Sequence, residues 1–430
     1  MAMADFDAIV IGSGCAGPVA AHELAARGKS VLVVERGNYC GAKNVSGGRL
    51  YTHALADVFP DFLEDAPLER RVVRERISML APESGVMVEF TDEQMRRPGV
   101  ESYTVLRAKF DPWLASKAEA AGAEYINGIP VEKLLKTGDR VTGVKAGDDE
   151  ITAEVVLLCD GVNSLLAEQA VGAPRPARSS VAVGVKQVIE LPERVISDRV
   201  ACADGEGAAW LFMGDPTHGR VGGGFLYTNK ESISIGIVAT VADMVDSDVA
   251  IPQMLEDFKN HPAVAPVIAG GTVVEHSGHL VAEGGYDAMP ALVGDGVMLA
   301  GESAMMCLNA GYTVRGMDLA IAAGMHAGRS AADALDAGDT SAAGLAGYVK
   351  ALDGSFVMND LRTLRHFPDF MEHTPRMFGT YPDMAAQMMR KVFLVDGSGM
   401  KPMRKVMWPM IKKVGLLNLA RDARKGMKAV

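Results

Sequence analysis

The sequence predicts an α/β chain, α+β overall. A domain of parallel strands is assembled from discontinuous segments, an antiparallel sheet forms a second domain, and the C-terminal region is helical. Three observations lead there. An apolar strand, a glycine turn and an Ala-rich helix open the chain, with a second strand directly after. Two more apolar strands ending in glycine turns recur far downstream, at 155–164 and 296–304. Between those two lie short β-branched runs separated by turn residues, at the spacing of an antiparallel sheet.

Length and composition bound the reading. A chain of 430 residues is long for one core and suggests two lobes sharing an interface. With 48% hydrophobic and 23% charged residues it has the profile of a soluble globular protein. The cysteines Cys15, Cys40, Cys159, Cys202 and Cys307 are odd in number and have no metal-ligand spacing. That argues against a disulfide framework, a zinc site or a resident iron–sulfur cluster, and fits a reducing compartment. The N-terminus has no basic region before its first strand, unlike a signal peptide. No apolar run reaches the ~18 residues of a membrane span. Net charge is −11, yet residues 391–430 hold ten Lys or Arg against two Asp. Such a basic end suggests an acidic partner protein or an anionic membrane; a solvated basic helix is the alternative. The acidic bulk argues against nucleic-acid binding.

Phe6–Ile11 reads as a buried strand, and Gly12-Ser13-Gly14-Cys15-Ala16-Gly17 follows it. Residues 18–27 form the helix, with Pro18 in its first turn, and Gly28 ends it. Residues 30–34 form the second strand, with Glu35 at its tip. A GxGxxG alone is weak. Between strand and helix, in a unit of about thirty residues with an acid at the right distance, it predicts a Rossmann-like dinucleotide site. Gly12 allows the tight turn, Gly14 the approach of a pyrophosphate, and Gly17 close helix–strand packing. The helix N-terminus faces the phosphates. Glu35 can accept hydrogen bonds from the adenosine ribose. The distant turns Asp160-Gly161-Val162-Asn163-Ser164 and Gly301-Glu302-Ser303 favour FAD over NAD, because a long dinucleotide uses several strand tips of one domain. A nicotinamide domain would be a contiguous unit of roughly 150 residues.

The FAD-binding domain is therefore expected at 1–75, 101–180 and 286–345. An antiparallel substrate domain is expected at 181–285, with 76–100 joining it. Its strands are expected at 181–191, 208–213, 221–227 and 232–238, with a short helix at 253–259. Residues 311–324 read as a Gly/Ala-rich helix. Residues 346–430 read as helix interrupted at Pro368, Pro375, Pro382, Pro402 and Pro409. Nine of the 25 methionines fall in 371–410, either ordinary core or an adaptable docking surface. At the end of the chain, Val414, Leu416, Leu417, Leu419 and Ala420 alternate with Lys412, Lys413, Arg421, Arg424 and Lys425, which resembles an interfacial helix.

GSGCAG with Glu35-Arg36, the DGVNS turn and the GES turn resemble the large FAD superfamily of geranylgeranyl reductases and aromatic hydroxylases. Residues 41–50 (GAKNVSGGRL), 105–111 (VLRAKFD), 222–227 (GGGFLY), 255–262 (LEDFKNHP) and 315–318 (RGMD) narrow this to FixC-type subunits of electron-transfer-flavoprotein:quinone oxidoreductases. The resemblance implies non-covalent FAD, an electron-transfer flavoprotein as donor and a membrane quinone as acceptor. It also implies a peripheral position at the cytoplasmic face of the membrane. The chain has no cysteine after Cys307, which implies that the iron–sulfur cluster sits on a separate small ferredoxin-like partner. The family's late turn usually reads Gly-Asp, whereas here it is Gly301-Glu302, one methylene longer.

Since the flavin carries the redox chemistry, no catalytic side chain and no metal ligand are assigned. The expected cofactor contacts are Gly12, Gly14, Cys15, Ala16, Gly17, Glu35, Arg36, Lys43, Asn44, Gly47 and Gly48. To these are added Arg107, Val131, Asp160, Gly161, Ser164, Gly301, Glu302, Gly311 and Arg315. The expected substrate wall is Gly223, Gly224, Phe225 and Tyr227. Lys43 would stabilise a reduced anionic flavin; a solvent-facing loop lysine is its alternative. An ordinary ion pair is the alternative for Arg107 and for Arg315. Two other readings stay open: a reductase of isoprenoid double bonds, and a flavin-containing docking subunit.

Overall fold

A computed structural model describes residues 4–44, 47–399 and 401–429. Val45 and Ser46 of the GAKNVSGGRL stretch lie outside them. The chain crosses between two sheets. It starts in the first with β1 (Phe6–Ile11), helix α1 (Ala16–Ala25) and β2 (Val31–Glu35). It then enters the second through β3 (Gly48–Tyr51), β4 (Leu68–Ala81), β5 (Ser84–Phe90) and β6 (Ser102–Val105). Helix α2 (Arg107–Ala120) returns it to β7 (Glu124–Asn127), the hairpin β8 (Val131–Thr137) and β9 (Arg140–Ala146), and β10 (Asp149–Leu158). The second sheet is then completed by β11 (Val181–Glu190), β12 (Glu206–Gly214), β13 (Gly222–Thr228), β14 (Ser232–Thr240), helix α3 (Ile251–Asn260) and β15 (Thr272–Ala282). Last come β16 (Val293–Gly294), β17 (Val297–Leu299) and the small hairpin β18 (Leu308–Asn309) and β19 (Val314–Arg315). Helix α4 (Met317–Asp336) follows.

The first sheet has the order β16-β17-β10-β1-β2-β7. Its centre is parallel, with β1 between β10 and β2. Both faces are covered, so β1, β2 and β10 are apolar runs rather than alternating ones. Helix α4 lies on α1. A Cβ on Gly324 would stand 2.3 Å from the Ala16 carbonyl oxygen, and one on Gly328 would stand 2.6 Å from that of Ala20. Two glycines four residues apart thus let the helix axes approach.

The second sheet has the order β15-β11-β14-β13-β12-β4-β6-β3, with β5 paired to β4. Its far face packs on α3 through Met254, Leu255 and Phe258. Three features differ from the sequence expectation. Strands β3, β4 and β6 belong to this sheet, so the boundaries drawn at 75 and 101 cut through it. Their charges (Arg70, Arg71, Arg74, Glu75, Arg76) disguise the apolar alternation of β4. Those charges are satisfied by neighbouring strands: Arg71 bonds the Tyr103 hydroxyl, and Arg76 bonds Glu89 at 2.6 Å. The pair β4–β12 is parallel. The Gly/Ala-rich helix begins at Met317, not Gly311, because 308–315 is spent on the hairpin.

The C-terminal region contains α5 (Ala346–Asp353), α6 (Phe356–Thr363), α7 (Phe367–Glu372), α8 (Thr380–Phe393), α9 (Met403–Val414) and α10 (Leu416–Ala429). Pro368 and Pro382 sit in first turns and Pro402 is an N-cap, where a missing N–H costs nothing. Pro409 does not interrupt; α9 runs through it. The bidentate pair Arg376–Asp422, at 2.7 and 2.8 Å, docks α10 on the preceding helices. Among the described residues no helix is long and apolar enough to cross a membrane.

Candidate functional site

One cavity of about 700 Å³ runs from the glycine turn of the first sheet to the open face of the second. The turn is built by backbone geometry. Gly12 has φ +95°, and a Cβ there would meet the Cys159 carbonyl oxygen at 2.5 Å. A Cβ on Gly17 would stand 2.0 Å from the Gly12 oxygen. Gly14 differs: its Cβ position faces the cavity, with the Arg107 guanidinium 3.6 Å away. Helix α1 has no side-chain cap at its N-terminus, so its free N–H groups and positive dipole end are presented to the cavity. Glu35 accepts from the Ser13 N–H at 2.8 Å and the Gly37 N–H at 2.6 Å. These bonds hold the carboxylate at the strand tip while it lines the cavity.

Arg107 begins α2 and points back at the glycine turn. Its guanidinium donates to the fully buried Asp111 at 2.6 and 2.8 Å, and Asn44 donates to the same carboxylate. Asp111 therefore sets the positions of two expected cofactor contacts. Burial works against the Arg107 charge, but Asp111 outweighs it and keeps the group protonated. Arg107 thus makes an ion pair and also lines the cavity.

The two distant turns meet at the other side of α1. The Ser303 hydroxyl donates to Asp160 and accepts from the Gly161 N–H, both at 3.0 Å. Burial pushes Asp160 up to about 6 against its hydroxyl bonds. Burial also raises Glu302 to about 7, with Arg107 pulling the other way. A carboxyl raised in the fold binds its proton more tightly folded than unfolded. In flavin-free protein its stabilising proton is present below about 4.5 and lost as pH rises through about 7. Glu302→Gln is expected to flatten that loss, gaining of order 1–3 kcal/mol at mildly alkaline pH. Urea midpoints of wild type and variant on either side of neutrality check this.

The second sheet closes the cavity with an unusual row. Ala182, Gly184 and Lys186 alternate on β11, two small residues and then an ammonium. Lys186 donates to the Gly47 carbonyl and lies 5.3 Å from the Phe225 ring centroid. Phe225 reaches it across Gly236, where a Cβ would stand 2.4 Å from the ring. Burial, reinforced by Arg107, lowers Lys186 to about 7. Burial and the same cations lower His279, on β15, to about 4. The C-terminal region covers this end through Pro368, Met371, Met377 and Phe378.

Of the expected residues, Gly12, Gly14, Cys15, Ala16, Glu35, Arg36, Lys43, Asn44, Gly47, Gly48, Arg107 and Val131 line the cavity. So do Asp160, Gly161, Gly301, Glu302 and Gly311, and the wall residues Gly223, Gly224, Phe225 and Tyr227. Gly17 and Ser164 act behind it: Gly17 by packing, Ser164 by holding the following helix through the Ala167 N–H at 3.1 Å. Arg315 takes the ion-paired geometry that was its alternative. It is not among the residues lining the cavity, and its guanidinium is held by Asp318 at 2.6 Å and by Asp360. Cys15 is buried and its thiol is pushed up to about 12, so it is unreactive near neutrality. Lys186, His279 and Glu283 were not anticipated. A lysine after the apolar run Val181–Val185 of β11 was the available signal.

Comparison with known proteins completes the description. Residues 5–203 match an FAD binding domain, and residues 367–430 match the ETF-QO/FixC family C-terminal domain. The chain is 49% identical over 425 residues to the probable electron transfer flavoprotein-quinone oxidoreductase YdiS of Escherichia coli, covering 99% of each chain. It is 48% identical to the protein FixC of the same organism, covering 98% of each. A crystal structure of a geranylgeranyl bacteriochlorophyll reductase-like protein from Thermoplasma acidophilum superposes with a TM-score of 0.70. At 20% identity it covers 95% of this chain and 98% of its own, and it shares the fold.

Proposed function

The chain belongs to the ETF-QO/FixC family, and from that premise we propose that it is an FAD-dependent oxidoreductase passing electrons from an electron-transfer flavoprotein to a quinone. The observation that carries the reading is the continuous cavity. One end is an uncapped helix N-terminus beside a glycine turn, which suits a pyrophosphate. The other is an apolar pocket between a sheet and a methionine-bearing helical cover, which suits a flat apolar acceptor.

The residues present fit the cofactor. The N–H groups of α1 and the Arg107 guanidinium would hold the diphosphate, and Glu35 the adenosine ribose. Asp160, Glu302 and the loop carrying Lys43, Asn44, Gly47 and Gly48 would hold the remainder. When bound, the flavin supplies one- and two-electron chemistry. The chain's own part is positional and electrostatic. Asp111 aims Arg107 and Asn44. Lys186 ties the Gly47 loop to the sheet. Phe225, Tyr227, Met371 and Phe378 exclude water from the acceptor end.

A ferredoxin-like partner would supply the iron–sulfur cluster. The basic C-terminus would hold the protein at an anionic membrane from the cytoplasmic side. Trp408, Leu416 and Leu417 are 48%, 57% and 82% exposed, among Lys405, Lys412 and Lys413, whereas Val414 turns inward. Introducing aspartate at both Leu416 and Leu417 is expected to weaken binding to anionic vesicles by at least about tenfold, and salt to weaken the wild type. Unchanged sedimentation with vesicles contradicts this role.

The functional assay is quinone reduction by reduced electron-transfer flavoprotein, with the flavin-replete protein and its partners. Turnover supports the reading. Saturation of isoprenoid lipids in its place supports the reductase alternative. A flavin needed for assembly but inert toward both supports the docking alternative.

A further inference from the structure

The proposed reaction adds two protons as well as two electrons to each quinone, yet the acceptor end of the cavity is closed by apolar side chains. Glu283 is a buried acid that lies between that cavity and a second, adjoining one, whereas Glu372, which also lines the main cavity, is exposed. Glu283 follows β15, is 8% exposed, and accepts from the Asn309 amide at 3.2 and 3.1 Å. It lines the main cavity in the row of His279 and Val281. It also lines an adjoining pit of about 10 Å³ bounded by Leu361, Leu364 and Pro368, the room of a single water. Leu364 and Pro368 are half-buried, so the pit lies toward the surface. Among the described residues lining the pit, Glu283 is the carboxylic acid. Its other titratable neighbour, Cys307, is buried with its thiol well above the ordinary range.

Resting on the reading above, we propose that Glu283 relays protons from solvent to the quinone end of the cavity. In each of two rounds the Glu283 O–H bond breaks as an O–H bond forms on a quinone oxygen. Water in the pit then reprotonates the carboxylate. The two electrons arrive from the electron-transfer flavoprotein, so quinone, two electrons and two protons balance as quinol. The surroundings suit a reloading acid. Burial raises Glu283 to about 7 against the Asn309 bond, and the Glu302 charge adds to the rise. Glu302 faces it across the cavity floor, Cys307 and Asn309 from the β18 segment, His279 from its own strand, and Glu372 lines the cavity from α7. His279 stays neutral and does not compete.

The test uses flavin-replete protein, a short-chain soluble quinone and reduced electron-transfer flavoprotein. Glu283→Gln keeps the shape and one oxygen to accept from the Asn309 amide, but carries no transferable proton. It is expected to retain flavin content and spectrum, slow quinone turnover by at least about tenfold, and lose the step near neutrality in the pH profile. Glu283→Asp should recover part of the rate. Independently of activity, infrared difference spectra across pH should show a carboxyl band titrating near neutrality in wild type and absent from Glu283→Gln. An unchanged rate and pH profile in Glu283→Gln, with competent wild type, overturns the relay and leaves the function standing. A wild type without quinone turnover overturns both. A carboxyl band that persists in the variant overturns the assignment to Glu283.

Discussion

Gly17→Val is expected to empty the cavity of flavin. The substituted Cβ would stand 2.0 Å from the Gly12 oxygen, 3.1 Å from its carbonyl carbon and 3.3 Å from Val10 Cγ1. The first two are backbone atoms of the turn itself, so no flexible neighbour can yield. Helix α1 must therefore move away from β1, taking its N-terminal N–H groups out of line with the phosphate position. A helix-terminus site works through aligned groups within the first turn, so a small displacement removes most of it. The expected loss is at least about a hundredfold in FAD affinity, near 2.7 kcal/mol. Flavin absorbance per protein after gel filtration measures it, with fluorescence titration of the stripped protein. Gly347→Ala, where a Cβ meets nothing within 4 Å, should leave flavin content unchanged. Full flavin retention in Gly17→Val would remove the glycine turn from the site.

The second large effect is on stability and lies away from the cavity. Arg70 is fully buried, and its guanidinium holds three segments together. It donates to the carbonyls of Asn229 at 2.6 Å and Lys230 at 3.0 Å in the β13–β14 turn, and of Glu206 at 3.0 Å at the start of β12. It also donates to the Glu193 carbonyl at 2.9 Å and the Ser197 hydroxyl at 2.8 Å on the helix Glu193–Val200. The carboxylate of Glu193 is more distant, at 3.8 Å. The charge is thus solvated almost wholly by peptide dipoles. Arg70→Met fills much of the space but leaves four carbonyls without this donor. The expected loss is about 3–5 kcal/mol. Arg70→Lys should recover little, since a point ammonium cannot span the fork of acceptors. Denaturant midpoints check both; a loss under about 1 kcal/mol for Arg70→Met would show that water replaces the guanidinium.

The same arginine explains why part of the fold was hidden in the sequence. The nucleotide unit is written locally: strand, glycine turn, helix and acid lie within residues 6–35, and each residue acts on near neighbours. Strand β4 is different. Its charges look like a solvated segment until Glu89 of the next strand, Tyr103 and the distant Asn229 carbonyl are brought beside them. Strand β5 was hidden for a related reason, being an outer strand with Val88 and Phe90 exposed. The site divides along the same line. Glycines and strand tips were legible because the backbone demands them. The two readings of Arg315 were not separable in the sequence: Asp318 is a local partner, but Asp360 lies on a helix that no local pattern connects to it. Lys186 and Glu283 acquire meaning only when Gly236, Phe225 and Asn309 surround them. Glu302 lines the cavity, with Arg107 opposing the rise that burial imposes.

The central claim, that electrons pass through a flavin held in this cavity, is tested most directly by following the bound flavin's own absorbance. Under anaerobic conditions, reduced electron-transfer flavoprotein is mixed with the flavin-replete protein and its partners, and quinone is added afterwards. The account predicts bleaching of this protein's flavin band on the first addition and its return on the second, with quinol formed in proportion. A flavin band that ignores the reduced flavoprotein, or stays bleached when quinone is added, would contradict it.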